Sequence, residues 1–244
     1  MICKLCLKEA TLRDSHIVPK FMHRPLWDEN GRLIKTSTDP SISPKITQEQ
    51  LKQDLLCGDC EQKIGRWETY ARDLMFRNAS SPEVYENAMI FHGVDYKKFK
   101  LFQLSLLWRA SVSSLTFFKN VDLSASPHQE RIRSMLYNEE PGKSHEYGCL
   151  IIFPKDKNIR KIIDVIIEPD EFRFDTYRGY KFCLNGIYWH FITSSHTGRF
   201  LFKNAFLQED GTLPLLPDFN FIKDEYEKLY RAHLVRISTH NLNK

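Results

Sequence analysis

The sequence predicts an α+β fold, with a zinc module at the N-terminus followed by a helical and antiparallel-sheet region. Three observations lead there. Cys3-Lys4-Leu5-Cys6 and Cys57-Gly58-Asp59-Cys60 are two pairs of thiols at metal-binding spacing, the ligand set of a closed tetrahedral Zn²⁺ site. Between Glu61 and Phe76 the apolar residues Ile64, Trp67, Ala71, Leu74 and Met75 recur at 3-4-3 spacing, which argues an amphipathic helix. From Tyr147 to Thr193 the pattern changes to short runs rich in β-branched and aromatic residues, with Asn185-Gly186 as a tight hairpin signal.

The bulk numbers bound this architecture. With 244 residues, 42% hydrophobic and 27% charged, the chain can bury one sizeable core or two modest ones. A formal net charge of +4 tolerates a polyanion without by itself predicting one. Six cysteines, four of them in metal-spaced pairs, fit a reducing compartment, and a cytoplasmic location is expected. Met1-Ile2 leads straight into the zinc motif, leaving no room for a signal sequence. Leu101 to Phe118 is apolar, but Arg109, Gln103 and several serines interrupt it. A buried helix explains it better than a membrane span.

In chain order, residues 1–78 form the metal module and 79–244 the second region. Leu7 to Arg13 reads as a hairpin or knuckle after the first cysteine pair, with His16 just beyond it. Residues 28–50 form a polar insertion with no hydrophobic period, a loop with room for a small hairpin at Arg32 to Lys35. Cys60 then falls at the start of the helix that runs to Phe76. Asn78-Ala79-Ser80-Ser81-Pro82 is the best boundary signal. Helices are expected at Tyr96 to Phe118 and Pro127 to Leu136. Strands are expected at Tyr147 to Phe153, Ile162 to Glu168, Phe172 to Tyr177, Lys181 to Asn185 and Ile187 to Thr193, making an antiparallel sheet of four or five strands. A closing helix is expected from Asp218 to about Val235. Cys149 and Cys183 lie in strand-like apolar runs and read as buried inert thiols, a disulfide between them being the alternative.

The segment around the cysteines carries the chemistry. A CxxC, then Ser15-His16-Ile17-Val18-Pro19-Lys20, then Leu56-Cys57-Gly58-Asp59-Cys60 opening a helix that carries Lys63: this arrangement resembles the HNH endonucleases of the ββα-metal superfamily, in the form built on a treble-clef zinc knuckle. The resemblance covers about the first 70 residues and nothing after. It implies a structural Zn²⁺ on Cys3, Cys6, Cys57 and Cys60. It also implies hydrolysis of phosphodiester bonds, more naturally in DNA than in RNA, with His16 as general base and a Mg²⁺ or Mn²⁺ ion holding the scissile phosphate. A neutral imidazole can take a proton near pH 7, and a hard cation offsets the charge that phosphoryl transfer develops. By position, Ser15 occupies the slot of the family's acidic or histidine metal ligand, and Glu61 that of its Asn or His ligand. Glu61 supplies a hard oxygen. Strand alternation points Asp14 and His16 to one face, and Glu68, about two turns after Glu61, shares its helix face as a third candidate.

Lys20, His23, Arg24, Lys63 and Arg66 would place positive charge near the site, as substrate-binding residues for a phosphate backbone. A solvated helix face would show the same residues. His16 could instead brace the knuckle, and Glu61 could serve the helix macrodipole. On that view the module is a non-catalytic zinc finger that binds nucleic acid or protein. The remaining histidines show no HxxxH spacing, and neither a Gly-x-Ser-x-Gly elbow nor a phosphate-cradling glycine loop is present. Modules of this kind resemble parts of phage-defence or mobile-element systems, in which the second region would serve substrate choice, homodimerisation or contact with a regulatory protein such as an ATPase.

Overall fold

The computed structural model describes residues 1–23, 27–36, 42–43, 45–48, 50–77, 81–86, 88–153, 165–184, 186–194 and 196–217. In chain order the elements are β1 (Leu12–His16), α1 (Lys20–His23), β2 (Leu33–Thr36), β3 (Lys45–Thr47), β4 (Lys52–Cys57), α2 (Gly58–Phe76), β5 (Glu83–Tyr85), β6 (Ala88–Phe91), α3 (Tyr96–Val112), α4 (His128–Asn138), β7 (Cys149–Phe153), β8 (Val165–Phe174), β9 (Tyr177–Leu184), β10 (Ile187–Ile192) and β11 (Leu213–Pro217). The α+β class is as expected. The closing helix expected at 218–235 lies outside the described residues.

β1 and β4 make a two-stranded antiparallel sheet whose register shifts between Arg13 and Asp14. Cys57 ends β4 and immediately precedes α2, so hairpin and helix meet at the second cysteine pair. Helix α2 buries Cys60 together with Ile64, Trp67 and Ala71, three of the five residues its 3-4-3 spacing singled out, while Leu74 and Met75 are half-buried. α3 is enclosed rather than amphipathic, burying every residue from Phe99 to Ala110. That explains an apolar run with polar interruptions: Ser105 and Arg109 find their partners inside the protein. Among the described residues, no helix is long and apolar enough to cross a membrane. α3 stops at Val112, short of the expected Phe118. There the Gln53 Oε1 accepts from Ser113 Oγ and from the Ser114 N–H, each at 2.9 Å, and ties the chain to β4 instead.

The sheet departs from expectation. It has nine strands in the order β3-β2-β8-β9-β10-β7-β11-β6-β5, and two of its pairings, β2 with β8 and β11 with β7, are parallel. The polar insertion is not only a loop, because β2 and β3 form a hairpin that extends the sheet at β8. Every residue of β5 is exposed. Such short edge strands are held by backbone ladders, so they need no hydrophobic alternation and leave no periodic signal in the sequence. The two runs expected at 162–168 and 172–177 become one strand, β8, and the start of the next. Pro169 is accommodated at an irregularity between Ile167 and Asp170. Asp175, at φ 54, turns the chain into β9, and β9 and β10 pair antiparallel from Leu184 and Ile187 onward, as the expected hairpin requires.

The sheet centre is buried on both faces. Ile151, Trp189 and Phe191 belong to a cluster that continues through α3 and Trp67 to Leu5 and Cys3, so residues on both sides of position 78 share one core. Leu150, Ile152, Tyr188 and Ile192 pack behind, against Phe200 and Phe206. Burial on both faces is why these strands read as continuous apolar runs. Gly179 is needed where β9 meets β10, since a β-carbon there would lie 1.9 Å from the Phe191 carbonyl oxygen. Cys149 and Cys183 are buried free thiols, as expected.

His190, on β10, is 3% exposed and lies against the Phe172 ring at 4.9 Å. Burial pushes its pKa down to about 3, with the charge of Lys181 adding to the effect. The unfolded imidazole takes its proton near pH 6.5, so stability from the neutral ring is complete above that pH. It is lost as pH falls toward 3. The thermal midpoint of a His190→Gln variant is therefore expected to fall less than that of the parent between pH 7 and pH 4; equal slopes would refute this assignment.

Candidate functional site

The four paired cysteines converge. Their sulfur atoms all lie within 4.8 Å of one another, and Cys6 Sγ and Cys57 Sγ are 3.9 Å apart, near the roughly 3.8 Å edge of a tetrahedron with 2.3 Å Zn–S bonds. That spacing is far beyond a disulfide, and all four thiols are free. The group could hold a structural zinc ion. Local structure builds it: the first pair sits in a knuckle in which the Leu7 N–H donates to the Cys3 carbonyl at 2.9 Å and Leu7 adopts φ 60. The second pair straddles the β4–α2 junction. The Cys57 N–H donates to Cys3 Sγ at 3.3 Å, and hydrogen bonds of this kind lower the Cys3 pKa to about 7 against the opposing effect of burial. Cys60 is pushed up by burial and by its neighbouring thiols.

His16 ends β1 opposite Lys52, at the other end of the hairpin from Cys57, half-buried, with an enclosed Nε2 that has no hydrogen-bond partner. Burial first, and the charge of Lys52 second, lower its pKa to about 4, with Asp14 opposing; the ring is neutral at pH 7 with a lone pair to offer. Its backbone is held from the core. Arg109 on α3, 2% exposed, donates from Nη1 to the His16 carbonyl at 2.6 Å and pairs with Glu68 at 2.7 Å. The ring of His23, from α1, stacks on His16 with centroids 5.6 Å apart. Its own Nε2 is enclosed and unpartnered, and burial, then the charge of a protonated His16, push its pKa down to about 4.

The oxygen candidates separate by face. Ser15 is 1% exposed and its Oγ donates to the carbonyl of Arg13 at 3.2 Å, so it turns inward while Asp14 and His16 share the outer face of β1. Asp14 pairs with Lys52 at 3.1 Å. Glu61, in the first turn of α2, has an enclosed Oε1 without a hydrogen-bond partner. Glu68 is raised by burial, a change that Arg109 opposes and the charge of Glu61 reinforces. Among the described residues, the four cysteines are the one group in which three or more His, Cys, Asp or Glu ligand atoms come this close together. Asp14, His16 and Glu61 do not.

The basic residues are similarly divided. Lys20 is exposed at the start of α1, and Arg24 lies outside the described residues. Lys63 and Arg66 stand roughly 200° and 140° round α2 from Glu61. They engage the end of α4, Lys63 Nζ donating to the Tyr137 carbonyl at 2.6 Å and Arg66 pairing with Glu139 at 3.1 Å. Sequence reasoning counted His23 only as charge and did not single out Arg109 or Lys52 for the site. A lone arginine in an apolar helix was the available signal for Arg109. No protein-family model, curated protein or solved structure significantly matches this chain.

Proposed function

We propose that the protein is a metal-dependent endonuclease of the ββα-metal kind, acting on phosphodiester bonds and more readily on DNA than on RNA. One observation carries this reading: a neutral histidine with an unpartnered Nε2 ends β1, on the hairpin whose opposite end, at Cys57, meets α2 and four convergent thiols. In this mechanism His16 Nε2 takes the proton from the attacking water. Arg109 fixes the histidine main chain, and His23 limits the tilt of its ring. Glu61 Oε1, a carboxylate oxygen with no donor, would be the ligand of a hard cation; Asp14, on the His16 face, is held by Lys52 at 3.1 Å. A divalent ion there would offset charge on the scissile phosphate and the leaving oxygen. Lys20 and Lys52 add positive charge for the substrate backbone.

Incubated with plasmid DNA, single-stranded DNA or RNA and Mg²⁺ or Mn²⁺, the protein is expected to cut DNA. His16→Ala should lower the rate by about 10²-fold or more while leaving bound zinc and the melting temperature in place. Undiminished cutting by that variant would sink the mechanism. The separation of Asp14, His16 and Glu61 favours a second reading, a zinc scaffold that binds nucleic acid or protein without cutting; its signature is tight binding with no cleavage under any of these conditions.

A further inference from the structure

A polar cavity, of about 560 Å³, is built from elements outside the cysteine module. Its walls are the start of α4 (His128, Arg131), the loop before β7 (His145, Glu146, Tyr147) and the segment after β10 (Ser194, His196, Arg199). The lining holds two arginines, Arg131 and Arg199, and one carboxylate residue, Glu146, with Arg131 hydrogen-bonding the Tyr147 hydroxyl. Neither arginine has an ion-pair partner among the described residues, whereas Glu146 Oε2 is occupied by the Lys143 N–H at 2.7 Å. His128 is the first residue of α4 and Arg131 lies in its first turn, which adds the positive end of the helix macrodipole to the wall.

The wall is also held in shape. Tyr147 is a buried non-glycine residue at φ 51, a conformation that costs free energy and tends to gather at binding sites. Its hydroxyl meets His128 Nδ1 at 3.0 Å. Behind it, the fully buried ammonium of Lys100 donates to the carbonyls of Ser144 and Tyr147 at 3.2 and 3.1 Å. A β-carbon on Gly198 would come 3.6 Å from the His145 ring, so that imidazole rests over the opposite segment.

We propose that this cavity binds the phosphate group of a small phosphate monoester of nucleotide size. Two guanidinium forks on different elements can engage a tetrahedral dianion from separate directions, where a planar carboxylate is satisfied by one fork. The volume falls within the range of small-ligand sites and exceeds the need of a bare anion. The inference is independent of the nuclease reading, since none of these residues belongs to β1, β4 or α2.

Calorimetric titration of the full chain with adenosine 5′-monophosphate, inorganic phosphate, acetate and a single-stranded oligonucleotide tests it. The monophosphate is expected to bind about tenfold more tightly than inorganic phosphate, and acetate not to bind. Arg131→Gln and Arg199→Gln should each weaken binding about tenfold, the change expected when a charged hydrogen bond is lost. Both side chains are exposed, so melting temperatures should be unaffected. Equal affinity for inorganic phosphate, arginine-dependent binding of the oligonucleotide alone, no binding at millimolar monophosphate, or unchanged affinity in the double variant would each overturn the proposal.

Discussion

Cys57→Ser is expected to take the protein from one zinc per chain to well under one and to unfold the N-terminal module. Cys57 joins β4 to α2, its sulfur lies 3.9 Å from Cys6, and its N–H donates to Cys3 Sγ, so one substitution breaks both the ligand set and the link between its halves. Structural zinc sites contribute about 10–16 kcal/mol in small zinc peptides, comparable to the whole stability of a typical domain, about 5–15 kcal/mol. The loss should not stay local. Leu5, Leu55 and Cys60 lie in the same core as Trp67 and α3, so part of that core loses its support. Metal analysis with a thermal melt, before and after a strong chelator, is the measurement. A parent protein that holds no zinc, or melts at the same temperature after chelation, would contradict the assignment.

Arg109→Met is expected to destabilise the fold by about 3–5 kcal/mol, the usual cost of stranding a buried charge. Arg109 is 2% exposed on its side chain and pairs with Glu68 at 2.7 Å. Removing it leaves a Glu68 carboxyl that burial already pushes up, along with a His16 carbonyl without its donor. Pairing the change with Glu68→Leu should restore most of the loss, because a buried ion pair replaced by apolar groups is often close to neutral. Denaturant unfolding of the two single variants and the double gives the coupling energy. A double variant as unstable as the sum of the singles would show that the pair is not the reason Arg109 matters. On the nuclease reading, the double variant should refold well yet cut slowly, since the His16 main chain is still released.

The same residues show how far the sequence reaches. α2 was legible because its buried positions lie one turn apart and its start is marked by a cysteine pair. β9 and β10 were legible through Asn185-Gly186. β3 and β5 were not, because an edge strand is recruited by backbone hydrogen bonds that any side chain permits. Within the site, His16 and Glu61 stood out beside the cysteines, but the fate of Lys63 and Arg66 depended on α4, more than seventy residues away from Lys63 along the chain. Side-chain type does not reveal that a lysine is spent on a helix C-terminus.

By itself the sequence determined the four-cysteine cluster, the helix it opens and the α+β class, since each rests on spacing within a few residues, where chain geometry leaves little freedom. Tertiary structure decided what surrounds His16: Arg109 beneath its carbonyl, His23 against its ring, Lys52 across the hairpin and Ser15 turned inward. It also decided the nine-strand order of the sheet and the convergence of Arg131 and Arg199 on one cavity. These depend on contacts between segments far apart in sequence, whose pairing is set by burial and backbone hydrogen bonding across the whole core and not by any local pattern.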